Sequence, residues 1–251
     1  MKSIKLFTLL IALVLSFPSV AQAQKKDVFA NPQNLKVLPE DISPAELGAT
    51  MKGFAMGLGL RCENCHVGEP NTPLETFDFE SDEKPMKQKA RVMLKMVQAI
   101  NAEHVPALND IEKDDRVEVR CVTCHRGRPQ PKLIEDVLDE QLAEGGADAA
   151  IAKYGELRKQ FYGSHSYDFS EFSLPMYAEA LFARGESPAA LKVAKINTRN
   201  FPESYYSHFV LAELYAAAGE KDAAIETYTR AGELNPRAKG FLDGRITALG
   251  D

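Results

Sequence analysis

The 251-residue chain has no tryptophan, and its cysteines and histidines number only 4 and 5. It also lacks a surplus of positive charge: 30 Lys and Arg against 36 Asp and Glu give a net charge of −6. That balance excludes a protein that grips nucleic acid or anionic lipid across its whole surface. No triplet period runs through the 16 Gly and 14 Pro, which excludes a collagen-like chain. Phosphate loop, nucleophile elbow and metal-binding carboxylate cluster are all missing, so the common signatures of nucleotide hydrolysis and acyl transfer do not apply. With 45% hydrophobic and 26% charged residues the chain is of ordinary globular composition, long enough for one or two domains with cores of their own.

Hydrophobic runs of membrane-spanning length are lacking too. The longest apolar stretch, Leu6 to Val20, follows Lys2 and Lys5 and precedes Ala21-Gln22-Ala23, the three parts of a secretory signal peptide. It is shorter than the roughly 20 residues a span requires. The expectation is an exported, periplasmic protein, soluble after cleavage near residue 23, with an uncleaved membrane anchor as the alternative.

Export makes the cysteine pattern informative, because an oxidising compartment pairs spare thiols. All four cysteines lie in two short motifs, Cys62-Glu63-Asn64-Cys65-His66 and Cys121-Val122-Thr123-Cys124-His125. Two thiols one helical turn apart match the two vinyl groups of one haem, and the adjacent histidine then reaches the iron. A pair of disulfides or one four-cysteine zinc site would use the same thiols, but neither requires the histidines. With 5 His in 251 residues, both motifs would end in His by chance about once in 2,500 sequences. The motifs therefore predict two covalently bound haem c groups, on Cys62, Cys65 and His66 and on Cys121, Cys124 and His125.

A sixth iron ligand decides between electron transfer and substrate binding. Between Pro44 and Leu60 the residues Leu47, Met51, Phe54, Ala55 and Leu58 form a helical stripe centred on Met51, with Met56 about 140° away. From Lys84 to Ile100 a second stripe holds Met86, Ala90, Met93, Val97 and Ile100, with Met96 near its edge. Periodicity alone leaves these methionines as core filling or as ligands.

Met51 stands eleven residues before Cys62 and is followed by Leu58-Gly59-Leu60-Arg61; Ala90-Arg91-Val92-Met93-Leu94-Lys95-Met96 precedes the second motif, which ends Cys124-His125-Arg126-Gly127. On these residues the chain resembles the cytochrome subunit of photosynthetic reaction centres, from about Ile42 to Arg128, one two-haem half of that four-haem subunit. The resemblance implies Met51 as partner of His66 on the first iron and Met93 as partner of His125 on the second. The family's bis-histidine ligand falls eight residues before an attachment cysteine, where this chain has Lys113, so that ligand does not carry over. His104 reads as a surface residue at a helix end.

Arg128-Pro129-Gln130-Pro131 interrupts any helix and reads as a stiff connector. Beyond it, Leu133, Ile134, Val137, Leu138 and Leu142 predict one amphipathic helix ending at Gly145-Gly146, and Ile151, Tyr154, Leu157 and Phe161 a second. A period of 34 follows: Ala178, Leu181, Gly185, Ala190 and Pro202 recur as Ala212, Tyr215, Gly219, Ala224 and Pro236. The spacing is that of tetratricopeptide repeats. Such hairpins need neighbours to bury their faces, here the connecting helices and a cap from Arg237 to Leu249. They serve either as a docking surface for a redox partner or as a stabilising appendage. Tyr205, Tyr206 and Phe209 read as core, His165 and His208 as structural, and the charged stretches Glu80 to Lys84 and Asp110 to Arg116 as solvated loops.

The sequence thus predicts a mostly α-helical protein: signal peptide 1–23, di-haem cytochrome c domain 24–131, connecting helices 132–172, and tetratricopeptide-like repeats with a capping helix 173–251. The expected function is transfer of single electrons between periplasmic or membrane-bound redox partners, without catalytic residues and without nucleic acid. Two alternatives belong to other classes: a di-haem peroxidase-like enzyme with one open iron site, and an interaction protein built on the repeats.

Overall fold

In the computed structural model, residues 27–108, 111 and 118–250 are described. The expected signal peptide, Lys113 and most of the Asp110–Arg116 stretch lie outside these residues. The described chain is helical; its only β pairing is an isolated antiparallel bridge between Val67 and Asp78. None of its helices is long and apolar enough to cross a membrane.

Helix α1 (Pro44–Leu58) begins where local chemistry dictates. Ser43 caps it, its hydroxyl accepting from the Glu46 N–H at 3.3 Å while the Glu46 carboxylate accepts from the Ser43 N–H at 3.1 Å, and Pro44 occupies the first turn. It ends at Gly59, in the left-handed region at φ 62°, whose N–H returns to the Ala55 carbonyl. The one-turn helix α2 (Cys62–Cys65) follows at once. A loop that stacks Phe77 on Phe79 leads to α3 (Pro85–Ala99), which continues through a π-helical turn (Ile100–His104) into the short α4 (Val105–Ala107). The second attachment motif forms α5 (Cys121–His125).

Close backbone approach joins α1 to α5. Gly57 lies where an added Cβ would be 3.1 Å from the Val122 nitrogen, and its carbonyl accepts from the Gly127 N–H at 2.9 Å. At Gly59 an added Cβ would sit 2.1 Å from the Gly127 carbonyl oxygen. Glycine is thus required both for the turn before the first motif and for packing against the second.

The second half carries the buried apolar core. Helix α6 (Ile134–Phe161) is two helical arms broken at Gly146, whose φ of 74° and ψ of −172° interrupt the helix where the Gly-Gly pair predicts an end. Two hairpins follow, α7 (Ser173–Ala183) with α8 (Ser187–Asn200) and α9 (Tyr205–Ala217) with α10 (Lys221–Leu234), then α11 (Lys239–Gly250). Positions 34 apart have matching roles. Ala178, Ala190, Ala212 and Ala224 are wholly buried at the helix contacts, and Gly185 and Gly219 turn each hairpin at φ 85° and 77°. Tyr205 and Phe209 pack, partly buried, against the core around Tyr228 and Leu242, and His208 Nε2 lies 2.9 Å from the Pro202 carbonyl.

Candidate haem sites

The two attachment motifs adopt the same local turn by the same means. In α2 the Asn64 side-chain oxygen accepts from the Arg61 N–H at 2.9 Å; in α5 the Thr123 hydroxyl accepts from the Arg120 N–H at 3.0 Å. The third residue of each motif thereby caps the turn that presents both thiols. All four cysteines are free, and among the described residues no group of three or more His, Cys, Asp or Glu side chains is placed to hold a metal ion. The two cysteine pairs are thus not assembled into one four-cysteine zinc site.

Around the first motif lies a cavity of about 570 Å³. The whole apolar stripe of α1, Leu47, Met51, Phe54, Ala55 and Leu58, faces it together with Cys62, Cys65 and His66. Met56, off the stripe, is exposed. The opposite wall comes from α3 through Lys87, Ala90, Arg91 and Leu94, spaced on one helical face. Residues 27–38 form a strap along the remaining side.

This cavity fits a haem by size, by apolar lining and by donor set. His66 packs edge-on against Phe79 with centroids 4.9 Å apart, and its buried Nδ1 has no hydrogen-bond partner. Burial, then the positive charges of Lys87 and Arg91, push its pKa down to about 4, so the imidazole is neutral at pH 7 and able to donate a lone pair to a metal.

An ionic cluster that sequence reading missed borders the cavity. Asp82 pairs with Lys36 at 2.6 Å, Lys87 at 3.2 Å and Arg91 at 2.8 Å, and it accepts from the Asn34 amide at 2.8 Å. Arg91 also donates to the Asn34 carbonyl at 3.0 Å, and the Lys87 ammonium, almost wholly buried, donates to the carbonyls of Phe79 and Ser81 at 2.8 and 2.7 Å. Glu80 to Lys84 is therefore not merely a solvated loop: Asp82 ties the strap to α3. Hydrogen bonding to Lys36, with further bonds to Lys87 and Arg91, holds its carboxyl well below the usual carboxylate range. Pairs 46 residues apart leave no local sequence signal.

At the second motif His125 is buried, and its Nδ1 lies 2.9 Å from the Arg128 carbonyl. A carbonyl only accepts, so Nδ1 carries the hydrogen, which leaves Nε2 as the ring nitrogen available to a metal. Asn101 ties the end of α3 to this motif, donating to the Val119 carbonyl at 2.7 Å and accepting from the Val119 N–H at 2.9 Å. Met93 lies off the face of α3 that lines the first cavity and is 37% exposed; Met96 is 45% exposed. Val92 and Val122 are exposed as well, so apolar side chains lie uncovered on α3 and α5. The structure therefore unites Met51 with His66 in one cavity, and it tethers the helix of Met93 to the motif of His125. His104 is exposed at the end of its helical turn, as expected.

A helical scaffold presenting two Cys-x-x-Cys-His turns defines a c-type cytochrome. The chain belongs to the family of the photosynthetic reaction centre cytochrome c subunit, whose family model matches residues 12–180. It is also 33% identical over 102 residues to cytochrome c-554 of Chloroflexus aurantiacus, a match that covers 40% of this chain and 22% of that relative. Membership of this cytochrome family implies covalently bound haem c. The family match runs past the Pro131 connector, through α6 and most of α7.

Proposed function

We propose that the protein is an exported di-haem electron carrier in which His66 and Met51 ligate one iron and His125 and Met93 the other. The observation that carries this reading is the shared cavity of Met51, Cys62, Cys65 and His66. Bound haem iron supplies the one-electron couple. The protein's part is to hold, bury and orient it. Cys62 and Cys65, and likewise Cys121 and Cys124, would anchor each macrocycle. His66 with Met51 would hold one iron and His125 with Met93 the other, leaving no position for substrate, and methionine in place of a second histidine favours the ferrous state. The apolar stripe of α1 excludes water from the first site, which limits reorganisation when charge changes. Donor and acceptor are redox proteins of the periplasm or the adjoining membrane.

Two measurements test this reading on protein matured with a periplasmic haem-attachment system: covalent haem stoichiometry, and the weak near-infrared band of methionine-ligated ferric haem. Two haems per chain are expected, with the band reduced in Met51→Ala and in Met93→Ala and lost in the double variant. A high-spin five-coordinate component in the unaltered protein would turn the reading to a peroxidase-like enzyme, and absence of covalent haem would overturn it.

A further inference from the structure

The carbonyl that accepts from His125 belongs to Arg128, and Arg128 is held by both halves of the molecule. Its N–H donates to the His125 carbonyl at 3.0 Å while its own carbonyl accepts from the imidazole, closing a tight turn. Two consecutive left-handed residues, Arg126 at φ 51° and Gly127 at φ 79°, make that turn, and the Gly127 N–H anchors it to α1 through the Gly57 carbonyl. The Arg128 guanidinium points the other way. It lies 3.7 Å from the ring centroid of Tyr167 and 6.0 Å from that of Phe161, and it donates to the Lys132 carbonyl at 3.3 Å. Tyr167 is 7% exposed and belongs to the core of the second half with Tyr154, Phe169 and Leu174. Beside it, the Ser166 hydroxyl donates to the Arg126 carbonyl at 3.0 Å.

We infer that Arg128 is a positioning residue through which the C-terminal helical half sets the strength of the bond between the His125 imidazole and its carbonyl acceptor, and so tunes the second haem alone. The inference rests on the reading of His125 as an iron ligand. A cation over an aromatic face in a desolvated setting is held more firmly than an exposed one, so the guanidinium stack fixes the position of its own carbonyl. A histidine whose Nδ1–H is firmly bonded is a more basic ligand and favours ferric iron. The first site has no such device, because the Nδ1 of His66 has no partner. The C-terminal half thereby gains a role distinct from partner docking: its connecting segment, through Phe161 and Tyr167, buttresses one candidate iron ligand.

The test uses the full-length two-haem protein with Arg128→Ala, Arg128→Lys and Tyr167→Leu, the last replacing the aromatic face by apolar bulk. Spectroelectrochemical titration reads both midpoint potentials, assigned by comparison with Met51→Ala and Met93→Ala. Nuclear magnetic resonance of the reduced protein reads hydrogen exchange at the His125 ring Nδ1–H. In Arg128→Ala and Tyr167→Leu the second haem should become easier to reduce, by about tenfold in its redox equilibrium, or about 59 mV for one electron. The ring hydrogen should exchange about tenfold faster, since one weakened hydrogen bond is worth roughly that factor. Arg128→Lys, which keeps a cation over the ring, should restore most of both effects, and the first haem should not move. Two haems with unchanged potentials and unchanged exchange would overturn the coupling and leave the electron-carrier reading intact, as would equal shifts at both haems. Loss of the second haem's histidine signature in the unaltered protein would instead remove the ligand reading on which the coupling rests.

Discussion

The two halves of this molecule bury different things. From Ile134 onward, apolar side chains bury one another: Leu138, Leu181, Val210 and Tyr228 are all within 2% of complete burial. Between residues 27 and 131, Leu47 is the sole buried apolar side chain among those described, and the other buried side chains there are Lys87 and His125. The stripes that would ordinarily form a core instead line a cavity of about 570 Å³ or lie exposed on α3 and α5. A 100-residue segment without an apolar core cannot offset its conformational entropy by itself. On the proposed function, haem held by its cysteines is what stabilises the first half, as bound cofactors contribute to folding elsewhere.

The sharpest way to break this comparison is to remove the thiols. Replacing Cys62, Cys65, Cys121 and Cys124 by Ala should abolish hydrogen-exchange protection in α1 and α3 while leaving α8 to α10 within about twofold of the unaltered protein. Equal protection in both halves would show that the first half has a core independent of haem. The reverse experiment is Leu181→Ala, at a wholly buried position between the hairpin helices. It should destabilise the second half by about 2–5 kcal/mol in denaturant unfolding monitored by far-ultraviolet circular dichroism. Haem absorption should stay unchanged until that half unfolds.

Glycine substitutions sharpen the contrast at single positions. Gly59→Ala meets a left-handed φ of 62° and a contact of 2.1 Å with the Gly127 carbonyl, so α1 must separate from the second motif. About 3 kcal/mol is expected, above the cost of the backbone conformation alone. Gly185→Ala has a similar φ of 85° with open space around the added methyl, and should cost only about 1 kcal/mol. Thermal unfolding of both variants checks the difference; equal losses would mean that the α1–α5 contact adjusts freely.

How much of this was legible in the sequence depends on distance along the chain. The Met51 stripe, the break at Gly145-Gly146 and the 34-residue period are local patterns, and each has its structural counterpart. Legible too were the attachment motifs, whose turns depend on Asn64 and Thr123 within the motifs themselves. The pairing of Gly59 with Gly127, the stacking of Arg128 on Tyr167 and the gathering of Lys36, Lys87 and Arg91 on Asp82 were not. The first two join residues dozens of positions apart, and the third depends on Lys36 of the strap, 46 residues from Asp82, although Lys87 and Arg91 stand near Asp82 in sequence. The stripes themselves do not reveal whether they face protein or cofactor, because an apolar helix face is the same signal for both.

Each half also holds one aspartate below its ordinary range, and these two test the comparison most gently. Asp82 receives three cations from the strap and α3, with Lys36 contributing most; Asp139 receives the Arg184 guanidinium and the Tyr177 hydroxyl at 2.7 Å. A carboxylate whose folded pKa is depressed adds stability above its unfolded pKa, near 3.9, and loses it as pH falls toward the lower folded value. Both contributions are thus complete at neutral pH and fade below about pH 4. Asp82→Asn should remove the acid-sensitive part of the stability of the first half only, flattening its pH dependence in haem-monitored melting. Asp139→Asn should flatten the far-ultraviolet transition of the second half, by a smaller amount because one guanidinium replaces three cations. If Asp82→Asn leaves the haem-monitored acid transition unchanged, the strap is held to α3 by the Arg91 bond to the Asn34 carbonyl rather than by the carboxylate, and a variant at Arg91 becomes the decisive comparison.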